Sequence, residues 1–193
     1  MKILMLNASP RREGNVGRML EAVRHEAEAC GAVVEVLRVQ ELSVHPCLGC
    51  MKCSSTLRCV LPEDDAQRVL RLLQGCDGVV IGAPCYWGNM PGTLKLLLDR
   101  LVYGLMGESR RGVPVGLHRG KRAALLVTGT TPWPFNIWFR QTRGTVRALR
   151  EVLRWSGFRI VRTLERGGTK HHPQLTSRDL SRCKALARAL VRP

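Results

Sequence analysis

KILMLNASPRREGNV, residues 2–16, decides the fold. An uninterrupted apolar run over residues 3–6 ends at Asn7, passes through a polar loop, and gives way to helical periodicity at Val16. A strand without polar alternation meets water on neither face, which is the condition of a parallel sheet covered by helices on both sides. The same strand-then-helix unit recurs along the chain. Strands are predicted over residues 2–7, 32–39, 78–84, 122–128 and 158–164, and helices over 16–30, 64–74, 92–103, 140–155 and 177–191. Five alternations predict a doubly wound α/β fold, a five-stranded parallel sheet of order 2-1-3-4-5 with helices on both faces. Such sheets bind ligands beyond the carboxyl ends of their strands, where the order reverses, so the loops beginning at Ala8, Ala83 and Gly129 are expected to form the site.

The 193 residues, 45% hydrophobic and 24% charged, suit one well-buried domain over 1–193. No stretch is apolar for long enough to cross a bilayer, and residues 1–7 enter a strand directly rather than reading as a signal peptide, so a soluble cytoplasmic protein is expected. Two connections exceed ordinary length: 40–62, whose segment 44–62 carries cysteines, and the glycine-rich 104–120.

The first loop offers Ser9, Arg11 and Asn15 as donors at the positive end of a helix, a cradle for phosphate. It is neither a Walker loop nor a G-x-G-x-x-G fingerprint. A plain Ser/Asn-capped turn is the alternative. The third loop, from Gly82 to Lys95, places Tyr86 and Trp87 beside Gly88, Asn89 and Met90, so aromatic faces and an amide are available to a planar ring, or to ordinary loop packing.

Four cysteines, Cys47, Cys50, Cys53 and Cys59, crowd the second connection. Thiolates so spaced can wrap one small inorganic centre, with Gly49 easing the turn. Zinc usually draws two cysteine pairs from knuckles separated by a longer spacer; reduced thiols without a metal are the third possibility. His45 beside Cys47 is expected to be a bystander. Cys30, Cys76 and Cys183 are expected to be packing residues, and Cys85 to pack rather than react.

Ser9-Pro10-Arg11 with Gly14-Asn15, the block Pro84-x-Tyr86-Trp87-x-x-Met90-Pro91-Gly92-x-Leu94-Lys95-x-x-x-Asp99-Arg100, and the cysteine segment together resemble the iron-sulfur flavoprotein branch of the NADPH-dependent FMN reductase family. The resemblance implies that Ser9, Arg11, Asn15 and Val16 hold the FMN phosphate. It implies that Pro84, Tyr86, Trp87, Gly88, Asn89 and Met90 line the isoalloxazine and ribityl chain, and that Thr128, Gly129 and Thr130 close the opposite side. Where the family commonly has Thr at the helix start, this chain has Val16, which leaves only a backbone N–H. By the same resemblance Cys47, Cys50, Cys53 and Cys59 ligate one [4Fe-4S] cluster, NAD(P)H is the electron donor, and the protein is a homodimer or homotetramer. No catalytic side chain is expected, since the chemistry belongs to the flavin ring.

The net charge of +16 attracts anions of every kind and is not itself a function. Its arginines are spread along the chain, so a solvated basic surface is expected, with nucleic acid not the expected partner. The activity expected is that of an FMN-dependent oxidoreductase passing electrons to a small-molecule or protein acceptor. The rivals are a quinone, nitro or azo reductase without a cluster, and a flavodoxin-like binding module that uses its basic surface.

Overall fold

The computed structural model describes residues 1–192. Its elements follow in the order β1 (Lys2–Asn7), α1 (Asn15–Ala29), β2 (Val33–Arg38), a 3-10 turn (Val39–Glu41), α2 (Cys53–Thr56), α3 (Asp65–Gly75) and β3 (Gly78–Pro84). There follow α4 (Gly92–Leu105), β4 (Met106–Glu108), β5 (Pro114–Gly116), β6 (Arg122–Thr128), α5 (Phe135–Trp138), α6 (Gln141–Trp155), β7 (Arg159–Arg166) and α7 (Ser177–Val191). The parallel sheet runs β2-β1-β3-β6-β7, the flavodoxin-like order, with β6 and β7 as the fourth and fifth long strands.

Side chains alternate across that sheet, as a period of two requires. Leu4, Leu6, Val79, Ile81, Leu125 and Val127 face one core with residues of α3, α4 and α6. Ile3, Met5, Val80 and Leu126 face the other, under α1 and α7. The central strands are therefore apolar throughout because each residue has a helix layer to enter. At Gly82 helix α1 lies close on the sheet: a Cβ there would come 2.7 Å from Leu20 Cδ1.

The two long connections differ in kind. The 104–120 segment contains a small hairpin, with Gly107 opposite Val115, closed by the Ser109 N–H donating to the Val113 carbonyl at 2.8 Å. His118 then turns inward, 2% exposed, and its ring stacks on Phe158 at 4.9 Å. The cysteine connection holds only the single turn α2, with Gly49, Met51 and Leu57 all in the left-handed region. Cys76 and Cys183 are buried, whereas Cys30 is exposed, because it caps α1 instead of continuing its buried stripe. No helix of the described residues is long and apolar enough to cross a membrane.

Candidate functional site

β1, β3 and β6 end on one side of the sheet, and their loops meet there in a cleft of about 610 Å³. Ser9, Arg11, Asn15, Val16, Pro84, Tyr86, Thr128, Gly129 and Thr130 all line it. The first loop is held by its own groups. Asn7 Oδ1 accepts from the Ser9 N–H at 3.0 Å, the Ser9 hydroxyl accepts from the Arg11 N–H at 3.2 Å, and Ala8 N–H donates to Gly82 O at 2.8 Å. Helix α1 starts with the Arg18 N–H donating to Gly14 O at 3.0 Å, so the N–H groups of Asn15, Val16 and Gly17 precede the first helical bond. Val16 buries its side chain and leaves only that backbone group toward the opening.

Arg166, at the end of β7, fixes Asn15. Its Nη1 donates to Asn15 Oδ1 at 2.9 Å, its Nε to Asp179 Oδ2 at 3.1 Å, and its Nη2 to the carbonyls of His172 and Gln174 at 2.9 and 2.6 Å. With Oδ1 engaged, the Asn15 amide has only its Nδ2 donors left to offer. Burial by itself would raise the Asp179 carboxyl; hydrogen bonds from Thr176 and the Arg166 guanidinium outweigh it and hold the group below its usual range.

The Tyr86–Asn89 loop is a tight turn in which Tyr86 and Asn89 exchange backbone hydrogen bonds at 2.9 Å each way. Trp87 and Gly88 at its centre both have positive φ, 53° and 70°, the geometry of a type I′ turn. This turn separates the residues expected to surround a ring. Pro84 and Tyr86 face the cleft, and Trp87 stands fully in solvent. The Gly88 carbonyl packs on Gly144 of α6, where a Cβ would come within 2.0 Å of it. Asn89 and Met90 line a separate groove between α4 and α6.

Arg18, Thr169, Lys170 and Pro173 also line the cleft, and the sequence did not point to them. The latter three arrive on the loop after β7, beyond the switch point that singled out the other loops. The Thr169 N–H and hydroxyl both donate to Gly129 O, at 3.1 and 3.0 Å, which draws that loop over the opening. His171 and His172 are exposed and do not line it. The aromatic segment before α6 is not tucked under a loop: Trp133, Trp138 and Phe139 are mostly exposed.

Cys47, Cys50, Cys53 and Cys59 all line one small cavity of about 100 Å³ against α4. The Arg100 side chain closes its base without any solvent exposure. Arg100 Nε donates to Cys59 Sγ at 3.1 Å, and its Nη1 to Asp64 Oδ2 at 2.7 Å and the His45 carbonyl at 2.9 Å. Its Nη2 is buried and has no partner among the described residues. Burial opposes the Arg100 charge, but the bonds to Cys59 and Asp64 prevail and raise its pKa. Burial likewise works against the Asp64 anion, and N–H donation from His45 and Ala66, with Arg100, keeps that carboxyl low. His45 contacts Asp64 through its N–H and Nδ1, at 3.0 and 3.2 Å, as a bystander to the sulfurs would.

Burial pushes the Cys53 thiol up, and repulsion from Cys59, Cys47 and Cys50 adds to it. Four thiolates this close need a cationic centre to become anionic together. No three His, Cys, Asp or Glu side chains among the described residues converge at metal-holding geometry. In donor type and number the set fits an iron-sulfur cluster, and a buried guanidinium with a spare N–H suits its anionic sulfur.

The model of the family described as NADPH-dependent FMN reductase matches residues 1–168. An iron-sulfur flavoprotein of Archaeoglobus fulgidus is 34% identical over 110 residues, 57% of this chain and 53% of the relative. The chain spans about half the length of the iron-sulfur flavoproteins it matches. An FMN-dependent NADH:quinone oxidoreductase of Stenotrophomonas maltophilia is 30% identical over 184 residues, 90% of this chain and 88% of the relative. Among solved structures, an FMN-dependent NADH-azoreductase from Bacillus anthracis in complex with FMN superposes with a TM-score of 0.78. Each chain is covered in full, and at 15% identity the likeness concerns the fold. The chain belongs to the NADPH-dependent FMN reductase family.

Proposed function

We propose that this chain is an NAD(P)H-dependent FMN oxidoreductase, a single cytoplasmic domain over 1–193 that passes electrons to a small-molecule or protein acceptor. One observation carries it: the α1 N-terminus, the β3 loop and the β6 loop enclose one cleft at the switch point of a flavodoxin-like sheet. Family membership supplies the prior for FMN.

Asn15 Nδ2, the Ser9 hydroxyl and the N–H groups of Asn15 and Val16 would hold the phosphate, with Arg11 beside them and Arg18 and Lys170 adding positive charge at the mouth. Pro84 and Tyr86 would take one side of the ribityl chain and ring, and Thr128, Gly129 and Thr130 the other. Trp87, Gly88, Asn89 and Met90 would contribute through the turn that sets Tyr86, and Trp87 through a face presented to a second subunit. FMN, when bound, supplies hydride acceptance from a nicotinamide and release of electrons singly or in pairs. The protein's own part is to orient the ring, limit water and donate backbone hydrogen bonds; no side-chain acid or base is needed.

Cys47, Cys50, Cys53 and Cys59 would ligate a [4Fe-4S] cluster, which supplies one-electron transfer when bound. A homodimer or homotetramer is supported by apolar surface at Leu48 and Met51 in the cysteine loop and at Trp133 and Phe139. A cluster-free quinone reductase is the second reading, favoured by the Stenotrophomonas relative that aligns over nearly the whole chain.

Steady-state oxidation of NADH and NADPH, with a quinone and with a one-electron acceptor, in FMN-loaded wild type and in C50S/C53S, tests both readings. Turnover lost to one-electron acceptors but kept for the quinone supports the cluster. Unchanged turnover with both leaves a simple reductase, and no turnover with either nicotinamide overturns the proposal.

A further inference from the structure

Helix α6 carries arginine at nearly every turn of one face. Arg143, Arg147, Arg150 and Arg154 line a broad groove between α6 and the edge strand β7, with a volume of about 1380 Å³. Spacings of three and four residues place successive guanidiniums about 5 Å apart along the axis. Like charges so arranged repel each other and disfavour the helix unless something neutralises them. None of the four makes an ion pair among the described residues, although Glu151 and Glu165 line the same groove. Arg150 Nε is buried without a partner, while its Nη2 only reaches Thr163 Oγ1 at 3.3 Å. Some exposed arginines elsewhere are matched, as Arg24 is to Glu21 and Glu28, Arg71 to Glu63 and Arg188 to Glu26, and others such as Arg58 and Arg110 are not; what sets the α6 four apart is that they share one helix face and one groove.

Two indoles bracket the stripe. Trp138 and Trp155 line the groove at its two ends and are 69% and 50% exposed. A line of unpaired guanidiniums between exposed aromatic faces answers two chemistries at once, repeated backbone phosphates and stackable bases. An acidic protein would meet the charge and leave the indoles unused.

We propose that this groove binds single-stranded nucleic acid, with the arginines on successive phosphates and bases stacked on Trp138 and Trp155. The groove is lined by different residues from the cleft, so binding is independent of the flavin. In sequence the α6 arginines are unremarkable among many; the groove and the two exposed indoles that they share are tertiary facts.

The test is fluorescence anisotropy of a labelled short oligothymidylate against the full chain over a range of salt concentrations. Four phosphate contacts give a slope of log K on log salt of about −3. R147E/R154E should bind at least tenfold more weakly with a shallower slope, and retain wild-type flavin content and thermal midpoint. W155A should weaken binding about tenfold and leave the slope unchanged, since stacking releases no counterions. R178E/K184E on α7, an equal change of net charge elsewhere, should have little effect. Equal weakening by R178E/K184E, indifference to W155A, or displacement of the oligonucleotide by polyglutamate at equal charge would each overturn the proposal, leaving a general basic surface.

Discussion

Arg166 Nη1 donates to Asn15 Oδ1 at 2.9 Å, joining the last sheet strand to the first residue of α1. That bond decides which way the amide faces, and so makes a phosphate donor of a residue that offers both donor and acceptor. Asn15→Asp keeps the acceptor and strengthens the contact with Arg166 while replacing the donor by negative charge. Its thermal midpoint should match or exceed wild type, and FMN affinity should fall at least tenfold, as loss of a hydrogen bond to a charged group requires. Flavin-fluorescence titration beside a melting curve separates the two effects.

Arg100 and Asp64 are a buried pair whose side chains are 0% and 5% exposed. Arg100→Met removes the cation from the buried Asp64 carboxylate and leaves it only the His45 and Ala66 N–H donors, which should cost about 3 kcal/mol in denaturant unfolding, the low end for breaking a buried pair. The double variant R100M/D64N should recover part of this, because the orphaned charge is the larger cost. A double variant no better than R100M would refute that account.

Cys53→Ser should remove bound iron and sulfide from protein purified without oxygen while leaving flavin content unchanged, since the cysteine cavity and the cleft share no lining residue. Iron retained at the wild-type level would exclude Cys53 as a ligand.

Gly144→Ala places a methyl 2.0 Å from the Gly88 carbonyl, against backbone that cannot rotate away. Either α6 or the Tyr86–Asn89 turn must move, at a cost of roughly 1–3 kcal/mol. Because that turn sets Tyr86 at the cleft, FMN affinity should fall with stability. Unchanged stability would mean the contact is looser than the structure has it.

Burial holds the His118 pKa below its ordinary 6.5, and its Nδ1 has no partner among the described residues. The unfolded chain therefore takes up this proton at a higher pH than the folded one. The stability contributed by neutral His118 is complete above about 6.5 and is lost as pH falls from there to the folded pKa, at up to about 1.4 kcal/mol per pH unit. His118→Phe, stacked on Phe158, should flatten that portion of the stability-versus-pH curve; an unaltered slope would exclude His118 as its source.

The five long strands were legible because a parallel strand must be apolar along its length, and the cleft's first, third and fourth loops followed from topology. The hairpin of Met106–Glu108 and Pro114–Gly116 was not, since three-residue strands are too short to show alternation. Thr169 and Lys170 were missed because a polar loop after an edge strand carries no periodicity; the two hydrogen bonds of Thr169 to Gly129 place that loop. Trp87, Gly88, Asn89 and Met90 are contiguous in sequence, yet a turn with two residues at positive φ sends them in different directions. The four cysteines line one cavity without converging at metal-holding geometry, and the guanidinium at its base, which bonds Cys59, lies far from them in the chain.

The most direct test of the central claim is flavin stoichiometry after anaerobic reconstitution with FMN and gel filtration. About one FMN per chain in wild type, lost in Asn15→Asp, is the expected result. A chain that is folded by circular dichroism and retains no flavin would contradict the assignment of the cleft.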